Sequence, residues 1–452
     1  MVSIAGILKD FFATYQQKVT QATAPGRLDV MGGATDVAGS LLLQKALEPV
    51  STAYVAARDD QSITLKIVHR GTTTHDIVCD YPDLIGQFPT IHYDYTRQQI
   101  QRVHPDELIV ALLGCLVVLY TERKLRFEGL AIVLVSDLPR NTGVGATASL
   151  EVALLKAVSS SLNLTVDPYE LPLLAHRAEN LVGGFGTGPS RHIVSHLGDS
   201  RQLTPLRCQP AEVFHPISLP DSLSFIGVGT GGAVSLTNAA RDRQRTAMFM
   251  GYSIIALASG ATVRDLEVAK ETGDWSTLPY GGYVGNIPPS EFEDKYLSVL
   301  PERLTGQDFF EKFQTSIDNI SFIDRDEEYN VLKGTRLPVY ENFRAQLFVQ
   351  VIKNYSAEFQ NYANRLNLMG ELMYQSHQTY SDCGLGHPGA DEIVAQVKAA
   401  GPRKGLYGAR LTAPGSGGMV CILSGGLSGP ENAVAIQREY EQRLGKPVAL
   451  FR

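Results

Sequence analysis

The sequence predicts an α+β protein of two domains, and three observations carry that reading. At 452 residues the chain is longer than one hydrophobic core usually serves. Its first third alternates short strand-like runs with turn signals, whereas its second half holds long helical patterns, Phe343–Asn354 and Ala357–Thr379. Between Leu206 and Asp221, prolines and acidic turn residues leave no sustained period, which puts the boundary there and gives domains over 1–215 and 216–452.

Taken in order, Met1–Val19 places Ile4, Ile7, Leu8, Phe11, Phe12 and Tyr15 at helical spacing among Lys9, Asp10 and Lys18. This reads as an amphipathic helix rather than a signal peptide. Ser51–Ala57, Ile63–His69 and Thr74–Cys79 read as strands of an antiparallel sheet, and Pro105–Lys124 as a helix. The apolar run Leu108–Tyr120 inside that helix falls short of the roughly 20 residues a bilayer requires, so no membrane partner is expected. Phe127–Ser136 then reads as a strand, Asp137–Gly145 as a loop and Ala146–Leu162 as a helix. Ser224–Val228 is strand-like, and a glycine loop leads into the apolar run Met419–Leu423.

Forty Lys and Arg against 47 Asp and Glu give a net charge of −7, which argues against nucleic acid as a partner. Five cysteines, widely spaced and without a CxxC pair, fit reduced thiols in the cytoplasm. The oligomeric state stays open.

Chemistry concentrates in three small-residue loops. Pro139–Ser149 sets Gly143, Val144, Gly145, Ala146, Thr147, Ala148 and Ser149 before and into a helix, where backbone N–H groups and the helix dipole form an anion site. Glycine before a helix is also often only a turn. Ala24–Asp36 combines a fixed turn with Arg27 and Asp36, and Thr412–Gly418 is a second glycine loop.

These three segments, in this order, resemble the signature motifs of the GHMP kinases. Within that superfamily, Ala24–Gly33, Cys208–Val213, Gly370–Gln375 and Cys383–Gly386 resemble the plant-type L-arabinokinase domain more than galactokinase. The resemblance implies a ribosomal protein S5 domain 2-like N-terminal domain, a ferredoxin-like C-terminal domain, and an ATP- and Mg2+-dependent sugar kinase. By the same resemblance Arg27 is the catalytic cation beside the transferring phosphate, and Asp36 contacts sugar hydroxyls. Residues 143–149 bind the nucleotide, and Thr147 with Glu179 holds the magnesium. The Glu-His pair with which galactokinases reach the outer part of the hexose is here Gly33 and Ala34.

The pattern breaks at the family's general base. Counting on from Glu179–Asn180, that Asp is Arg191, inside a rewritten stretch Gly186–His192. Arg241 stands where a sugar-contacting Tyr is usual, and Gly229–Leu236 also departs from the family text. Two readings follow. In one, the protein remains a kinase, because phosphoryl transfer depends mainly on positioning and charge neutralisation, and Arg191 and Arg241 bind an anionic sugar. In the other, it is a pseudokinase that binds ligand as a sensor or assembly subunit. The plain alternative for Arg191 is a cation facing solvent or paired with an acidic neighbour. His192 and His196 share a helical face at a spacing that can bind metal, but packing suffices to explain them.

Overall fold

The computed structural model describes residues 3–452 except 16, 87, 89, 127–128, 210, 234–237, 355–361 and 413–417. The chain divides into two compact units. One comprises Met1–Arg27, Ala46–Arg140 and Val144–Ser200, and the other Leu28–Lys45, Asn141–Gly143 and Arg201–Arg452.

In chain order, β1 (Thr20–Met31) and β2 (Leu41–Ala57) precede β3 (Ser62–His69), β4 (Thr72–Asp80) and β5 (Leu130–Ser136), and the last three belong wholly to the first unit. The end of β2, Ser51–Ala57, runs antiparallel to β5, and β3 runs antiparallel to β4. The expected all-antiparallel sheet is not what forms, because β3 lies parallel to β5 from Ile63↔Leu130 to His69↔Ser136. A parallel pair needs a long crossover, and the helices between β4 and β5 supply it. The crossover helix Glu107–Glu122 is buried along its whole length from Leu108 to Tyr120, which explains an apolar run without a polar stripe. The amphipathic N-terminal helix is Ile4–Phe12, shorter than its sequence pattern. Ser3 caps it, and Ile4, Ile7, Leu8, Phe11 and Phe12 cover Val68, Val133 and Val135.

In the second unit, Leu41–Lys45 at the start of β2 pairs with β6 (Gln202–Cys208), which also pairs with β7 (Ala211–Val213) and β8 (Ile217–Ser218). The stretch without a readable period therefore holds strands. Pro205 lies inside β6 and Pro216 directly before β8, so the alternation is interrupted where pairing continues. β9 (Leu223–Gly229), the short pair β10 (Leu304–Thr305) and β11 (Glu328–Tyr329), then β12 (Leu406–Leu411), β13 (Met419–Gly425) and β14 (Leu450–Phe451) follow. β12, β13, β9 and β14 form an antiparallel sheet in that order. Ile393, Val397, Ala433 and Ile436, from helices Pro388–Ala400 and Gly429–Leu444, fill the core against it.

The helix Tyr362–Asp382 packs backbone to backbone on β12. A Cβ at Gly370 would sit 1.9 Å from the Tyr407 carbonyl oxygen, so only glycine fits there. Among the described residues no helix is long and apolar enough to cross a membrane, and all five cysteines are free thiols.

Candidate functional site

The glycine-rich loop is a turn that only small residues can make. Asn141, Gly143 and Gly145 have φ of 59°, 80° and 71°, and Gly145 is the N-cap of the helix Ala146–Ser161. No side chain caps that helix and no acidic residue stands in its first turn. Its first N–H groups, which have no intrahelical acceptor, together with the positive end of the dipole, are left for an anion. The loop is fastened from behind. The Arg27 N–H donates to the Val144 carbonyl at 2.8 Å, and a Cβ at Gly26 would meet the Leu138 side chain at 2.8 Å. The Ser149 hydroxyl donates to the Ala24 carbonyl at 2.6 Å and lies 2.8 Å from the Ser51 hydroxyl, which pairs with that of Ser136 at 2.9 Å.

Within this turn the seven nucleotide-site residues divide. Val144, Ala146, Ala148 and Ser149 are buried, whereas Gly143, Gly145 and Thr147 remain partly exposed. The backbone, not the Ser149 hydroxyl, is what the turn presents.

Next to Gly145 stand two arginines. A Cβ built on it would lie 3.4 Å from Arg27 Cγ and 3.8 Å from Arg191 Cβ. Arg191 points its Nη2 at Glu179, whose Oε2 also accepts from the Thr187 hydroxyl. Glu179 is fully buried at the start of a π-turn, Ala178–Gly183, that extends the helix Glu170–Arg177. His192 Nε2 lies 2.9 Å from Glu151 Oε2 and 3.7 Å from Glu179 Oε1. One ligand atom from each of Glu151, Glu179 and His192 falls within 4.8 Å of the others, and the Cys115 thiol is 3.9 Å from Glu151.

The rewritten stretch 186–192 is thus an organised element. Thr187 N–H donates to Asn180 Oδ1 at 2.9 Å, and Asn180 Nδ2 donates to the Thr187 carbonyl at 3.0 Å.

Electrostatics assign the charges. Burial alone would raise the Glu179 carboxyl, but Arg191 and the Thr187 hydroxyl override it and hold it at about 2, so it is ionised. Burial, then the Glu179 charge, pushes Glu151 well above the usual carboxylate range, so it carries a proton. Burial lowers His192 to about 3, and the imidazole is neutral. The cluster therefore holds one anion and one cation in contact, with Glu179 Oε1, His192 Nδ1 and Arg191 Nε lacking hydrogen-bond partners.

Glu179 Oε2 is engaged by the Arg191 guanidinium and the Thr187 hydroxyl. Its Oε1, buried and without a hydrogen-bond partner, is the oxygen that would be left for a cation such as magnesium. Most of that ion's oxygen shell would then have to come from substrate phosphate and water. Glu151 and Thr187 escaped the reading of the sequence. The available signal for Glu151 was a lone carboxylate between Leu150 and Val152 on a helix that is small and apolar apart from Lys156.

In the second unit, Asp36 lies in the turn Gly33–Ala38, half-buried, close enough to Cys208 to help raise its thiol after burial has done most of that work. A buried ionic network holds the turn. Asp29 Oδ2 accepts from the Gly33 N–H at 3.0 Å and from Arg410 Nη1 at 2.8 Å. Glu341 accepts from the Gly32 N–H, from the Ser376 hydroxyl and from Arg344, and the Ala34 N–H donates to the Tyr380 hydroxyl at 2.8 Å. A Cβ at Gly33 would fall 2.3 Å from Asp29 Oδ2, so the glutamate of the galactokinase pattern cannot enter without displacing that network. Arg241 occupies the first turn of the helix Ala239–Ala258, its Nη2 3.6 Å from Asp242 Oδ1. Residues 234–236 of the second departure and 413–417 of the third loop lie outside the described residues.

Comparison with known proteins agrees with this architecture. The family model described as GHMP kinases N terminal domain matches residues 109–198, which include the loop, Glu151, Glu179, Arg191 and His192. The chain is 29% identical over 481 aligned positions to L-arabinokinase of Arabidopsis thaliana, an alignment covering 97% of this chain and 46% of that protein. It thus spans about half the length of that curated relative. Among solved structures, Lactococcus lactis galactokinase complexed with galactose matches with a TM-score of 0.69 at 17% identity, over 99% of this chain and 97% of that one. Mevalonate kinase of L. major in complex with R-mevalonate matches at 0.52 with 16% identity, over 97% and 98%. These two likenesses show the fold.

Proposed function

We propose that the chain, which matches the GHMP kinases N terminal domain over residues 109–198 and is similar to L-arabinokinase, belongs to the GHMP kinase superfamily and is an ATP-dependent sugar kinase. The observation that carries the proposal is the uncapped helix N-terminus at Gly145 with Arg27 beside it. A triphosphate would place its oxygens on the N–H groups of residues 145–148, and Arg27 would neutralise charge as it develops on the transferring group. Asp36 would orient the acceptor by accepting from its hydroxyls. Arg241 would bind a carboxylate or phosphate on it, which makes a monosaccharide or an anionic sugar derivative the acceptor class. Arg191 faces Glu179, so on this reading it serves the nucleotide side of the chemistry rather than the acceptor. We place the protein in the cytoplasm, as its thiols suggest.

The test is ADP release from ATP across neutral pentoses and hexoses and across uronic acids. Release with one acceptor class, abolished in Arg27→Ala and weakened in Asp36→Ala, is the expected result. No release with any sugar, together with no ATP binding at millimolar concentration, overturns the proposal.

A further inference from the structure

Two periodicities in the second unit face one another. On the helix Val331–Lys353, Phe343, Leu347, Gln350 and Lys353 recur at spacings of three and four, so they share one face. On β6, Pro205 and Arg207 are two apart and point to one side of the sheet, where Leu41 of β2 is the cross-strand neighbour of Arg207. These residues, with Phe214, line a cavity of about 450 Å³. Its lining comes from the second unit alone, and none of it takes part in the nucleotide or acceptor site proposed above.

We propose that this cavity binds a small amphipathic anion, a carboxylate, sulfonate or phosphate carried on an apolar body, with Arg207 and Lys353 holding the charged group. The charges point that way. Arg207 and Lys353 are the charged residues of the lining, and no carboxylate joins them. Among the described residues neither side chain makes an ion pair or a hydrogen bond, and Glu212, opposite Arg207 on β7, is exposed and unpaired with it. Arg245 and Arg344 of the same unit, by contrast, are each matched to a carboxylate. Arg207 Nε is moreover buried without a hydrogen-bond partner, a cost that a bound anion would remove.

The rest of the lining calls for an apolar body. Leu41, Phe214, Phe343 and Leu347 supply it, and Phe343 is 51% exposed although it belongs to a helix that is largely buried. Inorganic phosphate or a free sugar would leave those faces in water. The volume falls within the roughly 300–1,000 Å³ of small-molecule sites, which favours a compact ligand over a partner helix. The walls are also tied in place. The Leu41 N–H donates to Asn342 Oδ1 at 2.8 Å, joining strand to helix, and the Phe214 N–H donates to the Pro205 carbonyl at 2.9 Å.

The probe is anilinonaphthalene sulfonate, an aromatic body with one sulfonate, titrated by fluorescence into the intact protein. Saturable binding at a single site is expected, weakened about tenfold in Arg207→Gln and about threefold in Lys353→Gln. Phenylnaphthylamine, the same body without the sulfonate, should bind more weakly and without distinguishing wild type from Arg207→Gln. Equal affinity of the sulfonate for both proteins overturns the proposal, as does absence of saturable binding. Displacement by magnesium-ATP also overturns it, because the probe would then report the nucleotide site.

Phe343→Glu keeps the test decisive if Arg207→Gln does not fold. It changes an exposed position and sets a carboxylate in the cavity wall, so sulfonate binding should be lost. Retained binding contradicts the proposal. A wild-type dimer that Phe343→Glu dissociates would show that a second copy covers this face, and the proposal would fall.

Discussion

Each unit holds a cluster built around two buried carboxylates, but the two clusters resolve that burden differently. In the second unit Asp29 and Glu341 face Arg410 and Arg344. Ser376, the Gly32 and Gly33 N–H groups and the ring of Tyr380, 4.8 Å from the Arg410 guanidinium, complete the shell. Charge is balanced two against two. In the first unit Glu151 and Glu179 share a single arginine and a neutral imidazole, so one carboxyl must stay protonated, and three polar atoms of the cluster are left without hydrogen bonds. The network of Asp29 and Glu341 fixes a turn and leaves one polar atom, Arg410 Nη2, without a hydrogen bond, whereas that of Glu151 and Glu179 leaves three beside an uncapped helix N-terminus.

The contrast breaks first at Arg410. Arg410→Ala leaves buried Asp29 without its cation, while Glu341 keeps Arg344, and is expected to cost about 3–5 kcal/mol, read by urea unfolding, with no protection by added nucleotide beyond that of wild type. A cost under about 1 kcal/mol would remove the scaffold interpretation. Arg191→Ala should cost less, about 2–3 kcal/mol, because the guanidinium is partly exposed and the abandoned Glu179 can take up a proton.

Acid titration sharpens the same comparison. His192, lowered to about 3, and Glu179, lowered to about 2, both bind protons more weakly in the folded state than in the unfolded one. Stability contributed by His192 is therefore present above about pH 6.5 and lost as pH falls toward 3, and that from Glu179 is lost from about pH 4.3 toward 2. Chemical denaturation at pH 7, 5 and 4 should show the decline, and Arg191→Ala should flatten its lower part.

Glu151 has the opposite sign. Its folded carboxyl keeps a proton that the unfolded chain releases above about pH 4.3, so it destabilises increasingly as pH rises. Glu151→Gln, neutral at every pH, is expected to gain more stability relative to wild type at pH 8 than at pH 5, measured as the difference in melting temperature. An equal effect at both pH values would mean that Glu151 is not protonated in the fold.

What could be read in advance follows the same division. The loop, its helix and the strand before it were legible because glycine, small residues and helical periodicity are local signals. The buried run Leu108–Tyr120 was legible as a helix for the same reason. The parallel β3–β5 pair was not, since alternation within a strand says nothing about its neighbour's direction. Pro205 and Pro216 hid β6 and β8 by interrupting a pattern whose pairing lies elsewhere in the chain. At the site, Arg191 was legible as a departure, but its partner was not. Glu179 is 12 residues away in sequence, and only the π-turn after helix Glu170–Arg177 brings the two together. Glu151 was missed because a single carboxylate in a helix usually faces solvent.

The claim on which the rest depends is that nucleotide phosphate sits on the N-terminus of the helix Ala146–Ser161, and Thr147→Asp tests it directly. Thr147 is a partly exposed first-turn residue, where an added carboxylate favours the helix dipole but repels phosphate. Calorimetric titration of ATP, with and without magnesium, should show affinity reduced about tenfold or more in a variant whose melting temperature is unchanged or raised. Undiminished ATP binding by a folded Thr147→Asp protein would contradict the account.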